Sequence, residues 1–106
     1  MIKVIISRDD NGVCKGFHFS GHAEYAELGQ DIVCSAVSVL VTNTINSIEK
    51  FTADGFSCEV DEANGDVQFA FTDEVGSESE LLVESMLLGL GAIAQEYGND
   101  FILIED

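Results

Sequence analysis

Apolar side chains recur at every second position at the start of the chain. Ile2, Val4 and Ile6 alternate with Lys3, Ile5 and Ser7, the period of a strand with one buried face. Asp9-Asp10-Asn11-Gly12 carries turn chemistry, and Phe17 and Phe19 then alternate with Gly16, His18 and Ser20. This pattern predicts a hairpin ending near Ser20. Gly21 to Gln30 shows no hydrophobic period and reads as a loop. From Ile32 onward the spacing changes: Ile32/Val33, Ala36/Val37, Leu40/Val41, Ile45 and Ile48 are separated by Ser35, Ser38, Thr42, Asn46 and Glu49. That spacing predicts a helix to about Phe51 despite many β-branched residues, with Asp31 as its N-cap.

A second hairpin is expected from Phe56–Val60, a turn at Ala63-Asn64-Gly65, and Val67, Phe69 and Phe71 in alternation. Ser77-x-x-Glu80 reads as a capping box opening a second helix through Tyr97, with Gly98 as its stop. Phe101 to Ile104 is continuously apolar, which predicts a short central strand. The expected order is β-β-α-β-β-α-β: one α+β domain over residues 1–106, with a mixed or antiparallel sheet and two helices packed on one face. The second helix carries more leucine than one buried stripe needs. With Gly89 and Gly91 permitting close approach, the excess predicts a homodimer interface.

Composition narrows the function classes. The chain has 106 residues, 46% of them hydrophobic, enough for one core without metal or disulfide staples. It carries 20 Asp and Glu against 4 Lys and Arg, a formal net charge of −16. Nucleic acid and anionic membrane surfaces are therefore poor partners, whereas a basic protein is steered inward. Three scattered cysteines without a CxxC pair fit a reduced, cytoplasmic protein better than a disulfide scaffold. The stretch Ile32–Val41 falls short of a membrane span, and Met1–Arg8 is too short for a signal-peptide core.

The chemistry-bearing stretch is Gly21-His22-Ala23 followed, after a short loop, by Gly29-Gln30-Asp31-Ile32-Val33-Cys34-Ser35. Counting from an Asp31 cap, Cys34 stands in the first helical turn, where the dipole favours negative charge. That field supplies only ~0.3–1 kcal/mol, too little to make a reactive thiolate unaided. An imidazolium alongside is the larger lever. His22, at the end of the preceding strand, is the histidine that a loop of this length can return to the helix start. Blander readings stand beside the dyad. A cysteine on an apolar helix face is commonly a small core residue, the reading given to Cys58 and Cys14. Asp31 is a helix cap or an orienter of His22. His18 points to solvent. Cys14, His18, His22 and Cys34 have no paired spacing for zinc, so no metal and no cofactor is expected.

GHA, a loop and then G-x-DIVCSAVS resemble the small Prp family of bacterial ribosomal-processing cysteine proteases, over nearly the whole chain. The resemblance implies that His22 and Cys34 form the catalytic pair and that the protein is a homodimer. It implies a substrate too: the N-terminal extension of large-subunit ribosomal protein twenty-seven, a basic ribosomal protein, cut after a pair of phenylalanines. Asp31 matches the family's acid before the nucleophilic helix, and Ser35 stands where alanine is also common. The expected activity is that of a cytoplasmic cysteine endopeptidase working through an acyl-enzyme. Backbone N–H groups at Cys34 and Ser35 are the expected oxyanion donors, with Gly21 a further contributor. The loop residues Gly21, Ala23, Tyr25, Leu28 and Gly29 are expected to close over the bound peptide, Tyr25 or Leu28 covering apolar side chains. Two rivals are a non-catalytic acidic adaptor for a basic ribosomal protein and a redox sensor in which Cys34 is oxidised. A basic tail peptide separates them: cleavage, saturable binding alone, or neither without oxidant.

Overall fold

Alternation becomes strand wherever a turn can close the pair. The computed structural model describes residues 2–21, 30–61, 65–98 and 101–106, leaving aside the side chains of Gln30 and Asp31. β1 (Ile2–Arg8) and β2 (Cys14–Ser20) pair antiparallel, Val4 opposite Phe19 and Ile6 opposite Phe17. Their turn is built by Asp9. Its Oδ1 accepts the N–H groups of Asn11 at 2.8 Å and Val13 at 3.0 Å, and Gly12 supplies φ 81°. An aspartate side chain that substitutes for turn backbone, followed by a glycine at positive φ, is what the DDNG run provides. The second hairpin joins β3 (Phe56–Asp61) to β4 (Asp66–Phe71), with Gly65 at φ 68°.

The helices are α1 (Gln30–Phe51) and α2 (Ser77–Tyr97), and the last strand is β5 (Ile102–Glu105). The sheet runs β3-β4-β2-β1-β5, with β5 parallel to β1 and the other pairs antiparallel. This is the expected α+β arrangement with a mixed sheet. One expectation is corrected: β5 is an edge strand. Only Ile102 of its four residues is buried, and Leu103 stands 37% exposed on the outer face.

Both helices lie over the inner face. Val4, Phe17, Phe19, Phe69 and Ile102 meet Val33, Val37 and Ile48 of α1 and Val83, Met86 and Leu90 of α2 in one buried cluster. Phe69 is its centre, 1% exposed. It stacks on Phe17 at 4.7 Å and meets Phe71 edge-on at 4.9 Å. Burial of one such ring stabilises the fold by about 1.5–3 kcal/mol. Gly16 lets β4 come alongside, because a Cβ there would sit 2.6 Å from the Phe69 carbonyl oxygen. The segment Ile32–Phe51 is long and apolar enough for a membrane span, at mean hydropathy 1.3. Helix α1 packs against both the sheet and α2, and that accounts for the composition.

Both helix starts differ from the sequence expectation. α1 begins at Gln30, so Asp31 is its second residue and not the N-cap. In α2 the N-cap is Gly76, whose carbonyl accepts the Glu80 N–H at 3.0 Å, and no side chain of the Ser77-x-x-Glu80 run caps it. Its cap comes from the segment that follows α1. Asp54 Oδ2 accepts the Gly76 N–H at 3.0 Å and the Ser79 hydroxyl at 2.5 Å. The α2 stop is as expected, with the Gly98 N–H bonded to the Ala94 carbonyl at 2.8 Å.

The excess apolar surface of α2 also divides differently. A Cβ on Gly89 would fall 2.9 Å from Leu40 Cδ1, so that glycine lets α1 and α2 of one chain approach. A Cβ on Gly91 would meet nothing within 4 Å among the described residues. Leu81 and Leu88, seven residues apart on one helix face, are 71% and 78% exposed.

Candidate active site

The end of β2 and the N-terminal part of α1 meet at a cleft. β2 closes with Ser20 opposite Lys3, and Gly21 follows at φ 90°, a conformation that costs a non-glycine residue dearly. Along α1, Cys34, Val37 and Val41 recur at helical spacing on the buried face. Cys34 is 6% exposed, yet it forms part of the wall of an open cleft of about 80 Å³. Ser20 lines the same cleft from the strand side.

His22 lies outside the described residues, as do Ala23, Tyr25, Leu28 and Gly29. Among the described residues, β2 ends at the cleft that Cys34 also lines.

The earlier helix start has a chemical consequence. Cys34 is the fifth residue of α1, in the second turn, where the terminal field has begun to fall away. In an α-helix from Gln30, the Cys34 N–H bonds to the Gln30 carbonyl and the Ser35 N–H to that of Asp31. Both N–H groups nominated as oxyanion donors are therefore committed to the helix. The free ones belong to the first turn, at residues 30–32.

The other cysteines separate clearly. Cys14 is 2% exposed, its Sγ donates to the Gly16 carbonyl at 3.3 Å, and burial pushes its thiol up. A register shift between Ser7 and Arg8 breaks the strand alternation beside it, and Cys14 joins the core. Cys58, expected in the core, is exposed. It sits on β3, an edge strand whose inner face extends past the helices. His18 stands on the outer face opposite Ile5 and Gln68, away from Cys34. No three His, Cys, Asp or Glu side chains among the described residues come together as metal ligands.

Periodicity did not nominate the floor of the cleft as functional. Val37 and Val41 were legible as the buried neighbours of Cys34 on one helix face. Phe19 and Val67 face them only because β2 and β4 pair in the register that sets Phe19 opposite Val67.

The model of the family described as Cysteine protease Prp matches residues 1–102. The ribosomal processing cysteine protease Prp of Staphylococcus aureus is 30% identical over 103 residues, 97% of each chain. That of Bacillus subtilis is 30% identical over 101 residues, 92% of this chain and 90% of the relative. The crystal structure of the S. aureus protease with a substrate peptide superposes with a TM-score of 0.93 at 30% identity, covering 99% of this chain and 98% of that one. The structure of that protease with a covalently linked product peptide gives 0.88 over the same shares.

Proposed function

The chain belongs to the Prp family of cysteine proteases, and from this premise we propose that it removes the N-terminal extension of large-subunit ribosomal protein twenty-seven through a His22–Cys34 dyad. It is a cysteine-type peptidase. The observation that carries the reading is the meeting of the β2 end and Cys34 at one cleft.

In the proposed reaction the Cys34 thiolate attacks the scissile carbonyl carbon, and the carbonyl π electrons move to oxygen. His22 takes the thiol proton and gives it to the leaving amine as the peptide bond breaks, leaving a thioester. His22 then takes a proton from water, whose oxygen attacks the thioester. Collapse of that adduct frees the carboxyl product and restores the thiol. The developing oxyanion is served by the uncommitted N–H groups at the start of α1. Asp31, one turn before Cys34, orients His22 or supports the helix start. Tyr25 and Leu28 cover apolar side chains of the peptide.

The partner is a basic ribosomal protein, the setting cytoplasmic and the working unit a homodimer. The exposed Leu81 and Leu88 support the last point. Sedimentation at micromolar concentration should give a dimer, and Leu81→Glu with Leu88→Glu a monomer. Mass spectrometry of the ribosomal protein after incubation tests the activity. Two fragments are expected from the wild type and from Cys58→Ser, and none from Cys34→Ala or His22→Ala. Full cleavage by Cys34→Ala would end the reading.

A further inference from the structure

The outer face of the sheet carries a charge pattern that the chemistry at Cys34 does not use. No Lys or Arg follows Lys50 in the chain, so the β3–β4 hairpin has no cation of its own. Strand pairing sets its polar side chains in two rows on the face turned away from the helices. Glu59, Gln68 and His18 lie side by side across β3, β4 and β2, and Asp61 lies opposite Asp66. These five residues line an open concavity of about 330 Å³. The cations of the first half of the chain are engaged elsewhere. Lys3, on the same face, is drawn to Glu105 at 3.4 Å on the β5 side. Arg8 is held by Asp106 and Glu84, and Lys15 Nζ donates to the Asp73 carbonyl at 3.4 Å. A concavity lined by one sign of charge concentrates ions of the other sign. Its place in the fold matters as much as its charge. Ser20 and Gly65 border the cleft that holds Cys34, while His18, two residues before Ser20, and Asp66, next to Gly65, line the concavity. The two recesses therefore lie on opposite faces of the same end of the sheet.

We propose that this outer sheet face docks a cationic segment of the peptide substrate, a Lys- or Arg-bearing stretch beyond the residues held at Cys34. The proposal rests on the reading of Cys34 as nucleophile and adds to it a second point of attachment. Glu59, Asp61 and Asp66 supply the charge, and His18 and Gln68 supply hydrogen-bonding atoms between the strands. A chain leaving Cys34 and rounding the sheet end crosses the thickness of the sheet and two strand spacings. That path is roughly 15–20 Å, or five or six residues of extended chain. Charge complementarity selects the occupant. A second copy of this chain carries the same net charge of −16 and is repelled from this face, as nucleic acid is. Attachment at two points of one peptide lowers KM without touching the bond that breaks, so the gain belongs to binding and not to kcat.

The test uses peptides with one cleavable bond after a Phe-Phe pair. A Gly-Ser spacer of two, six or ten residues, on one side or the other, leads to Lys-Lys or its uncharged counterpart Gln-Gln. In the wild type, Lys-Lys should raise kcat/KM over Gln-Gln about three- to tenfold at the six-residue spacer on one side, through KM, and less at the two-residue spacer. Glu59→Gln with Asp66→Asn should remove that advantage and leave kcat and the Gln-Gln peptides unchanged. Glu49→Gln with Glu78→Gln removes the same two charges from exposed positions on the helices and should keep the advantage. Circular dichroism at the assay temperature establishes that each variant is folded. Anisotropy titration of the labelled peptides with Cys34→Ala, in the wild-type and both charge-reduced backgrounds, reads the same comparison as Kd without the chemistry. An advantage reduced equally by both pairs of substitutions would mean a diffuse field and would overturn the docking face. An advantage equal at every spacer on both sides would overturn it too. Cleavage that survives Cys34→Ala would overturn the nucleophile, and the Kd comparison alone would then decide the docking face.

Discussion

Asp54→Ala should be among the costliest polar substitutions in this protein, and it should leave the chemistry at Cys34 alone. Asp54 joins the C-terminal end of α1 to the N-terminal end of α2. Its carboxylate accepts the Gly76 N–H and the Ser79 hydroxyl, while its own N–H donates to Thr52 Oγ1 at 3.2 Å. The Thr52 hydroxyl donates to the Ile48 carbonyl at 2.8 Å. Ser79 is fully buried, so without Asp54 its hydroxyl keeps only Thr52 Oγ1, at 3.3 Å. Loss of a hydrogen bond to a charged acceptor costs about 1.5–3 kcal/mol, and loss of an N-terminal cap about 0.5–2 kcal/mol. Gly76 is exposed, and water can replace its carboxylate partner, which places the sum at about 2–3 kcal/mol. For a domain near 100 residues that lowers Tm by roughly 10–20 °C. Ser79→Ala removes one of the two bonds without stranding a buried group and should cost about 1–2 kcal/mol. Urea unfolding at fixed protein concentration measures both, with a lower midpoint and an unchanged m value expected. Cys34 precedes Thr52 by 18 residues, about 27 Å along a helix, so kcat/KM well below the midpoint should match the wild type. A loss under about 0.5 kcal/mol for Asp54→Ala would refute the assignment of the α2 cap to Asp54.

Charge should govern capture of a basic substrate rather than its cleavage. Opposite fields raise association by about 10–10³-fold and are screened over about 8 Å at physiological ionic strength, so kcat/KM with a basic tail peptide should fall with added salt while kcat stays level. A salt-independent kcat/KM would limit the −16 balance to solubility. A further expectation concerns acid. Arg8 binds Asp106 through two hydrogen bonds at 2.6 and 2.9 Å and Glu84 at 2.9 Å, and this hydrogen bonding holds the Asp106 carboxyl below the usual carboxylate range. A carboxyl more acidic folded than unfolded stabilises the protein above its unfolded pKa, and that contribution is lost as pH falls through the folded value. The pair is exposed, so the stake is under about 1 kcal/mol. Arg8→Ala should therefore lower stability slightly at pH 7, and the difference from wild type should vanish in acid; a difference that persists at low pH would count against the pairing.

The elements themselves were legible in the sequence because they depend on local spacing. Period-2 runs around Val4, Phe17 and Phe69 and the helical stripe from Ile32 to Ile48 are each contained within a few turns of chain. The Asp9–Gly12 turn and the Gly98 stop are set by side chain and φ at single residues, and they too could be read directly. The GHA and DIVC stretches nominated His22 and Cys34 for the proposed dyad from chain order alone. What the chain order could not decide is which partner each segment meets. The cap of α2 comes from Asp54, 22 residues before Gly76, so the nearby Ser77-x-x-Glu80 pattern misled. Continuous apolar character suggested a central place for the last strand, but pairing along β1 alone leaves Leu103 on an open face. Cys58 has the alternation of a core residue and is exposed because β3 lies beyond the cover of the helices. The cleft beside Cys34 is of the same kind: Phe19 and Val67 reach it only through the register of β2 and β4, a long-range pairing that local periodicity does not contain.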